Sequence, residues 1–164
     1  MILFLGIHCT VTAGAQDYEQ VIKGKTGAFW GGSYKYLTEF ESGYELLFHS
    51  NKNGFNVTGL RVYQQPAFPE RSSKWFLCYG FGSHASFYNK YSIYNPFEPF
   101  DPPRVHNKEF VSIGFDGYAG LEYRFLKHPF ILSIDFIPNF EVFGPDYFRV
   151  NTNNLCLGLA YVIK

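Results

Sequence analysis

Val111-Ser112-Ile113-Gly114-Phe115-Asp116-Gly117-Tyr118-Ala119-Gly120-Leu121-Glu122-Tyr123-Arg124-Phe125 changes character at every second residue. Val111, Ile113, Phe115, Ala119, Leu121, Tyr123 and Phe125 form one set, and Ser112, Gly114, Asp116, Tyr118, Gly120, Glu122 and Arg124 the other. A period of two places the sets on opposite faces of a β-strand. The same grammar runs outward along the chain. Phe130, Leu132, Ile134, Phe136, Phe140 and Val142 oppose Ser133, Asp135, Asn139 and Glu141. Trp75, Leu77, Tyr79, Phe81 and Phe87 oppose Gly80, Gly82, His84 and Ser86. Near the end, Leu155, Leu157, Leu159, Tyr161 and Ile163 oppose Cys156, Gly158, Ala160 and Val162.

Eight strands are expected in all, over residues 16–23, 28–37, 43–49, 55–63, 75–88, 110–125, 130–142 and 154–163, with no helix. Most reach the roughly 9 to 11 residues that a tilted strand needs to cross a bilayer. The fourth loses phase at Gly59-Leu60, which reads as a bulge. The small, mixed face of glycines, serines and isolated charges suits a narrow lumen, whereas repeated Phe, Leu and Tyr would overfill one. The expected fold is therefore all-β: an eight-stranded antiparallel up-and-down transmembrane β-barrel with its apolar face outward. Trp30, Tyr34, Tyr36, Trp75 and Tyr123 suit aromatic girdles at two membrane interfaces.

The composition agrees. The chain is 21% aromatic and 17% charged, against about a quarter charged in an ordinary domain. A formal net charge of zero with no basic stripe argues against nucleic-acid binding. Ile2 to Leu5, Ile7 and Val11 form a short apolar run, followed by the small residues Ala13-Gly14-Ala15. That pattern reads as a signal peptide over residues 1–15, with a barrel domain over 16–164. No Lys or Arg precedes the apolar run, so the natural start is expected upstream. Cys9 follows Gly6-Ile7-His8, which is not a lipid-attachment pattern.

The strings Gly31-Gly32-Ser33-Tyr34-Lys35-Tyr36, Gly54-Phe55-Asn56-Val57-Thr58-Gly59-Leu60, Tyr79-Gly80-Phe81-Gly82-Ser83-His84, Gly114 to Phe125 and Pro129 to Pro138 carry a family likeness. In order, over nearly the whole mature chain, they resemble the small outer-membrane β-barrel proteins of Gram-negative bacteria, the porin-family or OmpA/OmpX-like barrel domains. The resemblance implies a bacterial outer-membrane location, with both termini in the periplasm. It implies short periplasmic turns at 38–42, 64–74 and 126–129, and outer loops at 24–27, 50–54, 89–109 and 144–153. Gly158, Tyr161 and Ile163 resemble the C-terminal signal read by the barrel-assembly machinery, although family members commonly end on Phe. The implied surroundings are outer-membrane lipid, an extracellular partner at the loops and a monomeric state. In the longest loop Tyr91, Tyr94, Phe97 and Phe100 are interleaved with Pro96, Pro99, Pro102 and Pro103, reading as a stiff cap or a partner-binding surface.

Parity sends Lys35, Glu45, His49, His84, Asp116, Glu122, Arg124, Asp135 and Glu141 into the lumen. Unpartnered buried charge is costly, so a polar network is expected there, with Glu122 and Arg124 as neighbours on one face. The first reading is an outer-membrane barrel with a structural or surface-interaction role and a filled lumen. A narrow pore, a lipid A-modifying enzyme and a soluble lipocalin-like barrel are the alternatives. A hydrolase would draw on His84 and Ser86 with Glu45 or Glu122, but parity buries these away from lipid, so no catalysis is expected. Neither the cysteines nor the histidines have metal-ligand spacing, and no cofactor motif is present. Cys78 and Cys156 fall at different depths and are expected as free thiols.

Overall fold

A computed structural model of the chain describes residues 18–51, 54–89, 91–93, 104–106, 109–144 and 149–163. Its strands are β1 (Gln20–Gly27), β2 (Trp30–Glu39), β3 (Ser42–Asn51), β4 (Gly54–Phe68), β5 (Ser72–Tyr88), β6 (Tyr91–Ile93), β7 (Arg104–His106), β8 (Phe110–Arg124), β9 (Phe130–Phe136), β10 (Asn139–Phe143), β11 (Arg149–Asn151) and β12 (Leu155–Val162). β1 to β5 pair antiparallel in sequence, β5 pairs with β8, and β1 joins β12, which joins β9, which joins β8. The sheet therefore closes on itself. β10 continues β9 along β8: Phe136 faces Ala119 and Asn139 faces Asp116, with two residues between on each side. The Gly117 N–H donates to the Pro138 carbonyl at 2.8 Å across that gap. Counting β9 and β10 as one stave, the barrel has eight. β6 and β7 form a separate hairpin in the connection from β5 to β8.

Its dimensions follow from the register. Directly opposed partners run from Trp75 to Tyr123, Leu132, Leu159, Gly24, Gly32, Phe48, Val57 and back to β5 at Ala85. One circuit thus climbs ten residues along β5. With about 3.3 Å per residue and about 4.7 Å between strands, that shear tilts the strands by roughly 40° and gives a radius of roughly 8 Å. Side chains from facing walls meet at the centre of such a barrel.

The outward face is apolar and uncovered: Phe81 is 64% exposed, Phe115 62% and Leu157 60%. The inward face is mostly buried, and Glu122 is 0% exposed. At the end carrying the short β2–β3, β4–β5 and β8–β9 turns, aromatic side chains pack in pairs, with Trp75 on Tyr123, Phe130 on Tyr161 and Tyr63 on Tyr79. The inward face is not uniformly small. Leu60 and Val62 point inside, directly opposite Gly82 and Gly80 of β5. These glycines admit the neighbouring strand itself: a Cβ on Gly82 would lie 2.9 Å from the Leu60 Cα.

Several expected boundaries are corrected. The first strand runs four residues later than 16–23, so residues 24–27 are strand, 24–26 paired on both sides with β2 and β12 and Gly27 with β12. Gly27, at φ 142°, leads into the turn at Ala28-Phe29. Most of the 64–74 turn is strand, because β4 reaches Phe68 and β5 starts at Ser72. There is no bulge at Gly59-Leu60. β4 stays in register there, and the lost phase reflects Leu60 and Val62 turning inward, not an extra residue. The irregularity in β4 lies instead between Pro66 and Phe68. Within 144–153, β11 pairs back on β10. The proposed signal segment, Cys9, Tyr94, Phe97 and Phe100 lie outside the described residues, and of Tyr91 only the backbone is described, in β6.

Candidate functional site

From the turn end upward, the lumen is layered. Its floor is apolar: Val21, Leu37, Ile131 and Ala160 pack with the Tyr18 ring. Above the floor the Glu122 carboxylate gathers cations from three other inward positions. Oε1 lies 3.0 Å from Lys23 Nζ and 3.0 Å from Lys35 Nζ. Oε2 accepts the Tyr18 hydroxyl at 2.8 Å and lies 3.6 Å from the Arg124 guanidinium. The Tyr18 oxygen in turn accepts from Lys35 at 2.8 Å.

Arg124 is held through its Nη2 and by two aromatic rings. It donates to Gln64 Oε1 at 2.9 Å, and its guanidinium lies 3.4 Å from the Phe76 ring centre and 4.4 Å from that of Tyr18. Gln64 donates to the Phe40 carbonyl at 2.6 Å, which links the cluster to the β2–β3 turn. A second carboxylate continues the network: Asp135 Oδ2 lies 3.5 Å from Lys23 and 3.2 Å from Lys25. Tyr118 and Ser133 donate to Asp135 at 3.0 and 3.1 Å. Lys25 also lies 2.8 Å from Glu45. Lys23, Lys25, Lys35 and Arg124 thus face Glu45, Glu122 and Asp135, at 3% exposure or less. Removing such charges from water costs several kcal/mol each, which only mutual attraction offsets.

Toward the other end, polar groups share the lumen with the buried Phe29, Leu47, Leu60 and Ile137 and are less densely paired. His84 Nδ1 lies 3.0 Å from both Asp116 oxygens, Asn56 bonds His49 at 3.1 Å, and Tyr88 donates to Glu141 at 2.7 Å. The Phe29 ring stacks on His49 with centres 4.1 Å apart. Among the described residues, the hydroxyls of Thr58, Ser86 and Ser112 and the His84 Nε2 have no protein partner.

Lys35, Glu45, His49, His84, Asp116, Glu122, Arg124, Asp135 and Glu141 are therefore all buried on the inward face, divided between the two layers. Glu122 and Arg124 are neighbours, but a directed hydrogen bond runs from Arg124 to Gln64. The hydrolytic set takes another form: the acid beside His84 is Asp116, while Glu45 and Glu122 are engaged by lysines. Ser86 makes no hydrogen bond to His84. Cys78 and Cys156 are unbridged and buried. Sequence reading missed Tyr18, Lys23, Lys25 and Gln64. Lys23 and Lys25 alternate with Ile22, Gly24 and Thr26, a period-two signal blurred by the glycine and the threonine. Gln64 was assigned to a turn that is strand.

The solved N-terminal β-barrel domain of Pseudomonas aeruginosa OprF has a similar fold. It matches 89% of this chain and 98% of that domain, with a TM-score of 0.57 and 15% identity. That likeness is one of architecture, an outer-membrane-type eight-stranded barrel. No family model matches the chain, and no curated protein does.

Proposed function

We propose that this chain is an outer-membrane β-barrel protein of a Gram-negative bacterium. In this reading its lumen is a side-chain plug, and its role is structural or surface-interacting rather than catalytic. The observation that carries the reading is the inversion of an ordinary soluble protein: a continuous apolar band outside and a paired charge network inside. Water would leave that band uncovered, whereas hydrocarbon solvates it. About ten residues per strand, tilted by roughly 40°, span the roughly 25 Å of a transmembrane barrel's apolar band. The OprF barrel domain shares this architecture, which supports the same location.

In this reading both termini and the short turns face the periplasm. The C-terminal strand, with Gly158, Tyr161 and Ile163, is offered to the assembly machinery, and the long connections between β5 and β8 and between β10 and β12 face outward to partners. The barrel acts as a monomer. Fractionation of cells producing the full chain, with gels of unheated and boiled membrane fractions, tests the location. A band in the outer-membrane fraction that changes mobility on boiling is the expected result. A detergent-free periplasmic protein would reverse the choice of outward face. A narrow pore is the second reading, favoured by the unpaired hydroxyls of Thr58, Ser86 and Ser112 in the upper lumen. Discrete steps in planar bilayers, altered by Glu122→Gln, would establish it.

A further inference from the structure

Away from the strand ends, the outward positions of the barrel carry one charged side chain among the described residues, Arg61 of β4. An arginine facing hydrocarbon costs about 2–4 kcal/mol at the bilayer midplane and falls toward zero at the interface, and such residues usually mark a site. Arg61 lies opposite Tyr44, two residues from the start of β3, so it stands roughly 7 Å from the β2–β3 turn. Its guanidinium lies 4.4 Å from the Tyr44 ring centre and 5.6 Å from that of Tyr63. It donates one hydrogen bond, 3.0 Å, to the Ser42 hydroxyl. A guanidinium has five N–H donors, so most of this one's remain available to a ligand on the outer surface.

Next to it the apolar wall is notched. Gly59, the next outward residue on β4, has nothing within 4 Å of where a Cβ would stand. A groove of about 500 Å³ opens there, walled by Leu46, Phe81 and Phe115, with Ser83 beside it and Arg61 and Tyr44 at the turn end. Cation and notch thus align along the barrel axis in the order of an amphiphile, the charge at the interface and the apolar trough running toward the bilayer centre. Leu46, Phe81 and Phe115 around the groove are large side chains, so the missing side chain at Gly59 leaves a recess between them.

We propose that this groove binds one glycerophospholipid of the leaflet at the short-turn end, its phosphate on Arg61 and an acyl chain over Gly59. The proposal rests on the membrane reading above. A bidentate guanidinium–phosphate contact beside two tyrosines supplies the affinity for the headgroup. The pairing of cation and trough fits an anionic headgroup with a long chain rather than a second copy of this barrel, whose described outward positions away from the strand ends offer no carboxylate to Arg61.

The test uses the full chain folded in nonionic detergent, with palmitoyl-oleoyl phosphatidylglycerol as probe and the corresponding diacylglycerol as phosphate-free control. Bound lipid is read by native mass spectrometry. One phosphatidylglycerol is expected to survive activation that strips the rest, with diacylglycerol held about tenfold less, the loss expected for a charge-assisted hydrogen bond. Arg61→Gln and Gly59→Leu should each reduce retention about tenfold, while Ile134→Ala, elsewhere on the outward face, should not. Equal retention of both lipids, or wild-type retention in both groove variants, overturns the proposal. So does preferential capture of purified lipid A, or a dimer that Gly59→Leu abolishes. Boiled and unheated gels of each variant separate the two levels. A chain that shows no heat-modifiable barrel overturns the membrane reading and this site together, whereas a folded barrel with unselective lipid retention overturns the site alone.

Discussion

At the scale of single residues, Glu122 organises the lumen. Lys23, Lys35 and Arg124 lie within 3.6 Å of its carboxylate, all fully buried. Glu122→Gln keeps the volume and removes the charge, leaving four cations against Glu45 and Asp135. The expected loss is about 3–5 kcal/mol, the cost of breaking a buried ion pair from one side. It is measurable as a lower urea midpoint for the barrel folded in lipid vesicles. Adding Lys35→Met should restore part of that loss, because it withdraws one orphaned charge. Equal midpoints for wild type and Glu122→Gln would mean that the cluster contributes nothing to the fold. Cys78 and Cys156, both unbridged and at most 1% exposed, should resist maleimide in the folded barrel and both react in denaturant. A missing thiol after denaturation would point to a bridge. The inward position of Lys35, Glu122, Arg124, Cys78 and Cys156 was legible from period two alone. Their partners were not, because Lys23 and Glu122 are 99 positions apart.

At the scale of elements, β4 and β5 show how bulk is shared. Leu60 and Val62 bring large side chains into the lumen where β5 offers Gly82 and Gly80. A side chain on Gly82 would meet the Gly59 carbonyl and stand 2.9 Å from the Leu60 Cα, both backbone atoms that cannot swing aside. Gly82→Val should therefore destabilise the barrel by about 1–3 kcal/mol, as overpacking does. The same urea titration measures it, and an unchanged midpoint would show that the strands can separate freely at this point. Gly158→Ala should be milder, since its Cβ would meet side-chain atoms, the Ser133 hydroxyl and the middle of the Lys23 chain, and no backbone. Strand parity in β8, β9 and β12 was readable because large and small residues alternate without interruption. In β4 the apolar pair Leu60 and Val62 changes faces relative to that rule. A composition-based reading then mistakes a packing exchange between two strands for a bulge. β1 was displaced for a related reason: its lysines face inward and its outward residues include a glycine and a threonine, so its two faces barely differ in hydropathy.

At the scale of the whole molecule, an apolar floor and a paired charge layer stand in series across a barrel of roughly 8 Å radius. The wild-type barrel in a planar bilayer is therefore expected to give no steady conductance. Sustained discrete openings would require both layers to part and would favour the pore reading. The amino-acid sequence by itself determined the class of fold and the side of the sheet on which Lys35, Glu45, Glu122, Arg124 and Asp135 lie. Alternation is local: each residue's face is set by its immediate neighbours along one strand. Only the tertiary structure decided which charges meet, that Tyr18, Lys23, Lys25 and Gln64 complete the cluster, and that Arg61 sits beside an open notch on the outer surface. The physical reason is closure. The ten-residue climb around the barrel is a joint property of all eight staves, and it sets the height at which each side chain crosses the lumen and each outward residue finds its lateral neighbour.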